Sequence, residues 1–272
     1  MAIGSVTAYA LVQAAVRALY ATMLTQETWS SLVQAPDFES VLAALPKTVY
    51  ESYLDLDAEL LTPRRAAYQI KLHLAEVYDK VIRLTPEPGR ELLLWLWRLY
   101  EVDNLKATLR GAETGAPWDQ VLFLLYPKSR YATLSFDTLE RMVHSKSVTR
   151  AVEYTRDTPY YNTLSHALGR YQIEESLFPL EVALDLEHNR RLWQNIDRLT
   201  GMDREQALHI VGRVLDMDNL LWAIRYRLYH HLSEQEIINY TLPFGYQVHD
   251  DDIRAIASGE PIAHIIQRIY PD

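Results

Sequence analysis

Apolar residues at three- and four-residue spacing dominate the chain and predict α-helices. The apolar positions between Ala66 and Ile82 recur with this period, and Thr62 followed by Pro63 is typical of the first turn of a helix. No sustained two-residue alternation flanked by hairpin turns occurs anywhere in the sequence. The pattern therefore predicts an all-α protein.

Further boundaries follow from glycine and proline. A helix is predicted from residue 87 to about residue 110, ended by Gly111. No proline occurs between residues 179 and 243, which permits two long helices, near 179–199 and from 203 to about 230.

Two sequence patterns predict capping boxes at helix starts. Asp203 is followed three residues later by Gln206, and Ser233 is followed at the same distance by Glu236. We expect each pair to cap a helix N-terminus.

The N-terminal segment predicts an amphipathic helix. Arg17 interrupts its apolar run and no basic start precedes it, so it does not resemble a signal sequence. No segment of the chain has the 18 or more uninterrupted apolar residues of a membrane span. If this protein works at a membrane, we expect it to sit on another component that spans it. The apolar face is predicted to carry Tyr9, Val12, Val16, Leu19 and Met23.

One ten-residue pattern occurs twice, as "EVDNLKATLR" at 101–110 and "DMDNLLWAIR" at 216–225. In each copy the Asp before the Asn lies seven residues ahead of the final Arg, which is about 10.5 Å along a helix. The two side chains are therefore too far apart to form an ion pair unless both extend towards a third group. Because the pattern is repeated, a structural role is favoured over direct contact with a partner. In that role the polar groups form hydrogen bonds to neighbouring helix ends and to the preceding helix. The candidate residues are Glu101, Asp103, Asn104, Arg110, Asp216, Asp218, Asn219 and Arg225.

Three tyrosines extend the repeat, because Tyr50, Tyr160 and Tyr270 are spaced by 110 residues. Thr48 and Thr158 precede the first two at the same distance, and each tyrosine is expected to be a half-buried anchor. The chain is therefore predicted to contain a first helical lobe at 1–115, a second at 116–232 and the start of a third at 233–272. A solenoid scaffold is disfavoured, since solenoid repeats usually span about 20–45 residues.

Composition narrows the possible functions. The 272 residues include no cysteine, which excludes disulfides, thiolate metal sites and a cysteine nucleophile, and fits a reducing compartment such as the cytoplasm. The formal net charge of −9 argues against binding to nucleic acid or to anionic lipid, and suits a partner with basic surfaces.

Candidate chemistry is sparse. Asp250–Asp252 resembles a cluster that binds magnesium and diphosphate in all-α enzymes, but acids that cap a helix explain it more simply. The adjacent His230 and His231 point about 100° apart on a helix, which is poor geometry for a metal. No phosphate-binding GxxxxGK[ST] loop is present. We predict no catalytic residue, cofactor or metal, and keep a magnesium-dependent diphosphate enzyme as the alternative.

Several strings in order carry a family resemblance. "EVDNLKATLRG", "TRDTPYYNTLSHAL", "SLFPLEVALDLEHNRRLW" and "DMDNLLWAIRYRLYHHLSEQEIINYTLPFGYQV" resemble successive parts of the central-stalk C/d protein of V-type and A-type ATPases. The resemblance implies a funnel of three helical lobes in pseudo-threefold arrangement. It also implies a noncatalytic rotor component on the cytoplasmic face, seated on the membrane rotor ring and receiving the central shaft.

One departure from that family is the third copy of the repeated pattern. Members of the family carry a third acid-Asn-Leu-Arg helix, whereas the 272 residues contain two. The sequence therefore predicts an incomplete third lobe.

Overall fold

The computed structural model describes residues 2–57 and 59–271, with side chains from residue 8 onward. Within these residues the structure contains helices and no strand, which confirms the all-α prediction. The chain forms two compact units, Met1–Thr158 and Pro159–Asp272. The division into three lobes stays a prediction.

The first unit begins with one long helix and three short ones, continues with a long central pair and ends with three short helices. Side-chain caps start many of them: Thr25, Asp37, Thr62, Ser135 and Ser147 each accept a backbone N–H near the first turn of a helix. The helices are α1 Ala2–Tyr20, α2 Gln26–Gln34, α3 Phe38–Ala43, α4 Glu51–Leu54, α5 Pro63–Leu84, α6 Gly89–Thr114, α7 Trp118–Leu122, α8 Phe136–His144 and α9 Val148–Glu153.

The N-terminal helix buries only part of its predicted apolar face. Val12 is buried and Tyr9 and Leu19 are half-buried, but Val16 is exposed and Met23 lies beyond the end of α1 at Tyr20. The prediction of one continuous face ending at Met23 was therefore wrong. No helix among the described residues is long and apolar enough to cross a membrane.

The long pair α5 and α6 forms the centre of the first unit. Ala75 and Ile82 of α5 pack with Trp97 of α6, and the rings of Tyr78 and Tyr100 lie 5.1 Å and 5.0 Å from that of Trp97. The short helices α8 and α9 also pack on α6, which explains why many residues of α6 are buried.

The end of α6 differs from the prediction. The helix continues through Gly111 to Thr114 and ends at Gly115, whose φ of 67° is left-handed. Gly111 instead marks close packing, since a Cβ there would lie 2.8 Å from Cγ2 of Val121 and 3.3 Å from Cγ2 of Val143. Glycine was thus correctly recognised as special, but its role was assigned wrongly.

The second unit repeats this order. A large buried cluster joins its later helices and includes Leu220, Tyr226, Ile237, Ile253 and Ile265. Its helices are α10 Tyr161–Glu174, α11 Phe178–Asp197, α12 Gly201–Ala207, a π-helical segment Leu208–Gly212, α13 Arg213–Leu228, α14 Glu234–Asn239, α15 Asp250–Ser258 and α16 Ile262–Ile269.

The helix predicted from Asp203 begins earlier and is capped differently. Thr200 is its N-cap, no side chain bonds the first turn there, and Gln206 contacts the sulfur of Met202. The predicted Asp203–Gln206 capping box was therefore wrong. The box at Ser233 and Glu236 is confirmed, because each residue accepts the other's backbone N–H.

The two units match helix by helix after the repeated pattern. In the first, α7, α8 and α9 follow the helix that carries "EVDNLKATLR"; in the second, α14, α15 and α16 follow the helix that carries "DMDNLLWAIR". The first two of these matching helices pack on their long helix in both units, α7 and α8 on α6 and α14 and α15 on α13. The sequence repeat therefore corresponds to a repeat of structure.

Candidate functional site

The asparagine of each repeated pattern bonds both backbone polar groups of one residue in the loop that follows. In the first unit the Asn104 amide donates to the carbonyl of Tyr126 (3.0 Å), and its Oδ1 accepts the Tyr126 N–H (2.7 Å). In the second, Asn219 makes the same pair of bonds to the carbonyl and N–H of Leu242, at 2.9 and 2.8 Å. We call each of these arrangements an asparagine clamp.

The first acid of the pattern fixes the same loop a few residues later. One carboxylate oxygen of Glu101 accepts the backbone N–H groups of Thr133 and Leu134 and also the Thr133 hydroxyl. Glu101 is buried, and a buried carboxylate is stabilised by several donors of this kind. The loop between α7 and α8 is thus held at two places by one turn of α6.

In the second unit Asp216 plays this part. Its two oxygens accept the N–H groups of Tyr246 (2.8 Å) and Gln247 (2.7 Å). The approach is so close that a Cβ at Gly245 would collide with Oδ1 of Asp216 and with the carbonyl oxygen of Val248. Only glycine fits at position 245 while the carboxylate holds the loop.

These contacts correct one part of the sequence interpretation. The polar groups were expected to bond helix ends and the preceding helix, but Asn104 and Asn219, like the acids before them, bond loops that follow. The sequence alone could not identify those partners, because the bonded atoms belong to the backbone and leave no residue signature.

The second acid and the arginine lie on the outer side of each helix. Asp103 is half-buried, and burial raises the pKa of its carboxyl group while the positive charges of Lys106, Arg110 and Lys71 oppose the rise. The arginine and the aspartate therefore influence each other through charge, and Lys71 adds the third group. Burial also lowers the pKa of Lys71 itself.

The equivalent pair of the second unit is arranged in the same way. Asp218 is half-buried and Arg225 is exposed. Burial raises the pKa of the neighbouring Tyr226, and the positive charge of Arg225 opposes that rise. In both units the arginine is at the surface, whereas the first acid and the asparagine are buried.

The two threonines of the repeat form the same turn. The Thr48 hydroxyl donates to the carbonyl of Leu45 (2.6 Å), and the Thr158 hydroxyl donates to that of Thr155 (2.7 Å). This local bond closes a helical turn just before the next helix begins.

The tyrosines occupy matching positions in the first two cases. Tyr50 immediately precedes α4 and Tyr160 precedes α10, both with helical backbone angles. The Tyr50 ring packs edge-on against His73 at 5.4 Å, and Tyr160 is buried. Tyr270 follows α16 and is half-buried, which raises its pKa, but Arg268 occupies the position that threonine has in the other copies.

The aspartate cluster caps a helix. Its N-cap is His249, and Asp250–Asp252 fill the first turn of α15. Asp252 accepts the backbone N–H of His249 (3.0 Å) through one oxygen and the Arg268 guanidinium (2.8 Å) through the other. Since both oxygens of this buried carboxylate are occupied, Asp252 is a structural residue.

Nothing in the described part of the chain supports the magnesium-dependent alternative. Asp250 pairs with Arg254 at 2.6 Å, and the described residues contain no group of three or more side chains that could hold a metal ion. His230 stacks on Phe178 at 4.9 Å, and His231 has a left-handed backbone with a φ of 52°. The diphosphate-enzyme alternative is therefore not supported.

One surface feature was missed by the sequence interpretation. The outer face of the helix that runs through the π segment and α13 carries large apolar side chains at the surface. The signal was present as two rows spaced by seven, one with Ile210 and Met217 and the other with Val214, Leu221 and Leu228. We call these five residues the exposed stripe.

The fold and the clamps together define an all-α protein built from a repeated helix-and-loop unit. The chain belongs to the ATP synthase (C/AC39) subunit family, whose model matches residues 12–272. The resemblance recognised from the sequence strings is confirmed.

Relatives in archaea agree with this family. The C subunit of the A-type ATP synthase of Methanocaldococcus jannaschii is 22% identical over 259 residues, covering 95% of this chain and 64% of that protein. The same protein of Methanothermobacter thermautotrophicus is 25% identical over 265 residues, with the same coverage of 95% and 64%. That of Archaeoglobus fulgidus is 23% identical over 269 residues, covering 98% and 74%. The chain thus spans less than two thirds of the first two relatives.

Proposed function

We propose that the chain is a noncatalytic central-stalk subunit of a V/A-type rotary ATPase that connects the central shaft to the membrane rotor ring. Its family, and its archaeal relatives named as the C subunit of an A-type ATP synthase, support a place in such a complex. The partners in this proposal are the shaft subunits and the ring subunits, with no nucleic acid. Contact with the membrane is indirect, through the ring on the cytoplasmic side.

The observation that carries the proposal is that the long helix of each unit holds the following loop at two places, through an acid and through an asparagine clamp. In each unit one turn of a long helix fixes the following loop through buried, charged or bidentate hydrogen bonds, at Glu101 and Asn104 and again at Asp216 and Asn219. A subunit that transmits torque must resist shear between its elements, and such bonds are strong where water is excluded. The polar groups of the repeat serve cohesion and supply no reacting centre.

The finer architecture belongs to the same proposal. The three lobes at 1–115, 116–232 and 233–272 would form a pseudo-threefold funnel whose socket receives the shaft. The net charge of −9 would favour basic surfaces on the shaft or on the loops of the ring.

The proposal predicts coupling without catalysis. Membrane vesicles that contain an A-type ATP synthase lacking this stalk component should hydrolyse ATP but fail to pump ions. Adding the chain, extended if necessary to the length of its relatives, should restore pumping with little change in the hydrolysis rate. The purified chain alone should hydrolyse neither ATP nor diphosphate, with or without magnesium.

A tagged chain provides the binding test. It should retain the shaft subunits and, separately, the detergent-solubilised rotor ring, whereas the same chain unfolded by heat should retain neither. Failure of the native chain to bind either partner, or diphosphate hydrolysis that survives purification, would overturn the proposal.

A further inference from the structure

The exposed stripe is an unusual surface for a helix that is otherwise packed into a core. The opposite face of α13 buries Leu215, Asn219, Ala223 and Tyr226. Exposed apolar residues scattered singly are ordinary, but a continuous row along one helix indicates an interaction surface. The exposed fractions are 63% for Ile210, 55% for Val214, 51% for Met217, 39% for Leu221 and 47% for Leu228.

The spacing of the stripe is that of a coiled-coil seam. Ile210 and Met217 occupy one heptad position, and Val214, Leu221 and Leu228 occupy the other, which gives steps of four, three, four and seven residues. The seam position skipped in the last step is Ile224, which is half-buried and packs against the core cluster. From Ile210 to Leu228 the row extends about 27 Å along the helix. Such a row is complementary to a second helix lying alongside it.

The fold does not require this stripe, as the first unit shows. The positions 115 residues earlier hold Trp95 and Val102, which are buried, and Lys106 and Glu113, which are charged. Among these five positions, only Leu99 is an exposed large apolar residue. Because the two units share their helices and clamps, the stripe is an addition to the second unit.

The π-helical segment contributes to the stripe. Within Leu208–Gly212, Val211 and Gly212 are buried while Ile210 faces outward. A Cβ on Gly212 would lie 2.9 Å from Cβ of Tyr246, so the segment approaches the loop that Asp216 holds. π segments inside α-helices are frequently found at functional sites.

The flanks of the stripe define the charge of the partner. Arg213 and Arg225 lie at the heptad positions that flank the seam, one on each side, and both are exposed. Asp218 lies on the same flank as Arg225 and is half-buried. The chain as a whole has a formal net charge of −9, so this strip is locally basic on an acidic protein. A second copy would bring the same exposed arginines, which disfavours self-association.

We propose that the exposed stripe binds an α-helix of a partner protein, one with an apolar heptad seam and acidic residues along its margins. This surface is separate from the clamps, and the inference stands whether or not the chain couples a rotor. Burying the five apolar residues supplies affinity, and the flanking arginines select acidic over basic helices.

Two synthetic helical peptides of four heptads provide the probes. Both carry leucine at the seam positions; one has glutamate and the other lysine at the flanking positions. The peptide with glutamate should bind the full chain at least about tenfold more tightly, with an affinity that falls as salt is added. Fluorescence anisotropy of the labelled peptides measures both affinities.

Three variants complete the experiment. Met217→Glu combined with Leu221→Glu should weaken binding at least about tenfold, whereas Ile173→Glu, at an exposed apolar position of α10, should leave it unchanged. Arg213→Glu combined with Arg225→Glu should reverse the preference towards the lysine peptide. Circular dichroism should show all three variants folded, as expected for exposed positions.

The inference is overturned by any of three results. One is that the unmodified chain binds neither peptide, and another is that the Met217→Glu, Leu221→Glu variant binds as the unmodified chain does. The third is sedimentation of the unmodified chain as a dimer that this variant abolishes, which would make a second copy the occupant. Loss of rotor coupling in the vesicle assay bears on the proposed function alone.

Discussion

At the scale of single residues, the clamps explain why the repeat keeps asparagine. An asparagine side chain carries a donor and an acceptor at one end, so it can pair with both the backbone N–H and the carbonyl of a single residue. Asn219 does this with Leu242 while almost fully buried. Aspartate could replace the acceptor but would leave the Leu242 carbonyl without its donor.

We expect Asn219→Ala to destabilise the second unit by about 2–4 kcal/mol, because it leaves a buried N–H and a buried carbonyl of Leu242 unsatisfied. Urea unfolding followed by tryptophan fluorescence measures the loss. Asn162→Ala, at an exposed position of α10, is the control and should change stability by less than about 0.5 kcal/mol. Equal effects of the two substitutions would contradict a clamp.

A second residue-scale prediction concerns Asp103 and pH. Burial raises the pKa of this carboxyl group in the folded protein above its unfolded value, so the ionised form costs stability at neutral pH. Asp103→Asn should therefore raise the urea midpoint at pH 7, and the gain should disappear as the pH falls below the unfolded pKa of about 4. A lower midpoint for Asp103→Asn at neutral pH would show that the attraction of the nearby Lys106 and Arg110 outweighs burial.

The clamps also mark how far the sequence could predict the site. Repetition identified Asn104 and Asn219 without any knowledge of their partners. The loops they hold, "YPKSRYATL" and "LPFGYQV", share little beyond the proline that follows the bonded residue, because a bond to the backbone does not specify the side chain at that position. A search for sequence repeats therefore finds the asparagine that forms the hydrogen bonds and misses the loop whose backbone it bonds.

At the scale of helices, the sequence predicted the long elements better than their ends. The three-to-four spacing of apolar residues located α5 and the helix that begins at Gly201, because many residues contribute to that signal. The end of a helix depends on one or two residues, and ending the helix one turn earlier or later differs little in free energy. Gly111 is the example: it was expected to end α6, but the helix accommodates it and uses it for packing.

This role of Gly111 can be tested by adding one methyl group. Gly111→Ala should destabilise the first unit by about 1–3 kcal/mol, since the new Cβ would lie 2.8 Å from Val121. Gly169→Ala in α10 is the matched control, because nothing lies within 4 Å of its Cβ, and it should stabilise by about 0.5–1 kcal/mol. Thermal unfolding monitored by circular dichroism shows whether each substitution lowers or raises the stability.

A double substitution separates crowding from backbone strain. Val121→Ala removes the closest methyl groups, so adding it to Gly111→Ala should recover part of the lost stability despite the cavity it makes elsewhere. If Gly111→Ala is destabilising and Val121→Ala only adds to the loss, the cause is not the contact with Val121.

At the scale of the whole molecule, the repeat has a consequence for folding. The bonds that hold these loops stay within one unit. Glu101 and Asn104 bond residues before 158, and Asp216 and Asn219 bond residues after it. A large core cluster of the second unit likewise consists of residues from 178 to 270. The sequence predicted the period of this repeat, whereas the boundary between compact units required the contacts themselves.

We therefore expect residues 159–272 to fold as an independent fragment with a cooperative urea transition. Asn219→Ala should lower the stability of the fragment and of the second unit in the full chain by the same amount, within about 0.5 kcal/mol, because the Leu242 N–H and carbonyl that Asn219 bonds both lie inside the fragment. Circular dichroism and urea unfolding of the fragment and of the full chain, with Asn162→Ala as the common control, measure the comparison. A fragment that is helical but unfolds without cooperativity would show that the core of the second unit depends on residues before 159, and the rigidity attributed to each unit would then be a property of the complete chain.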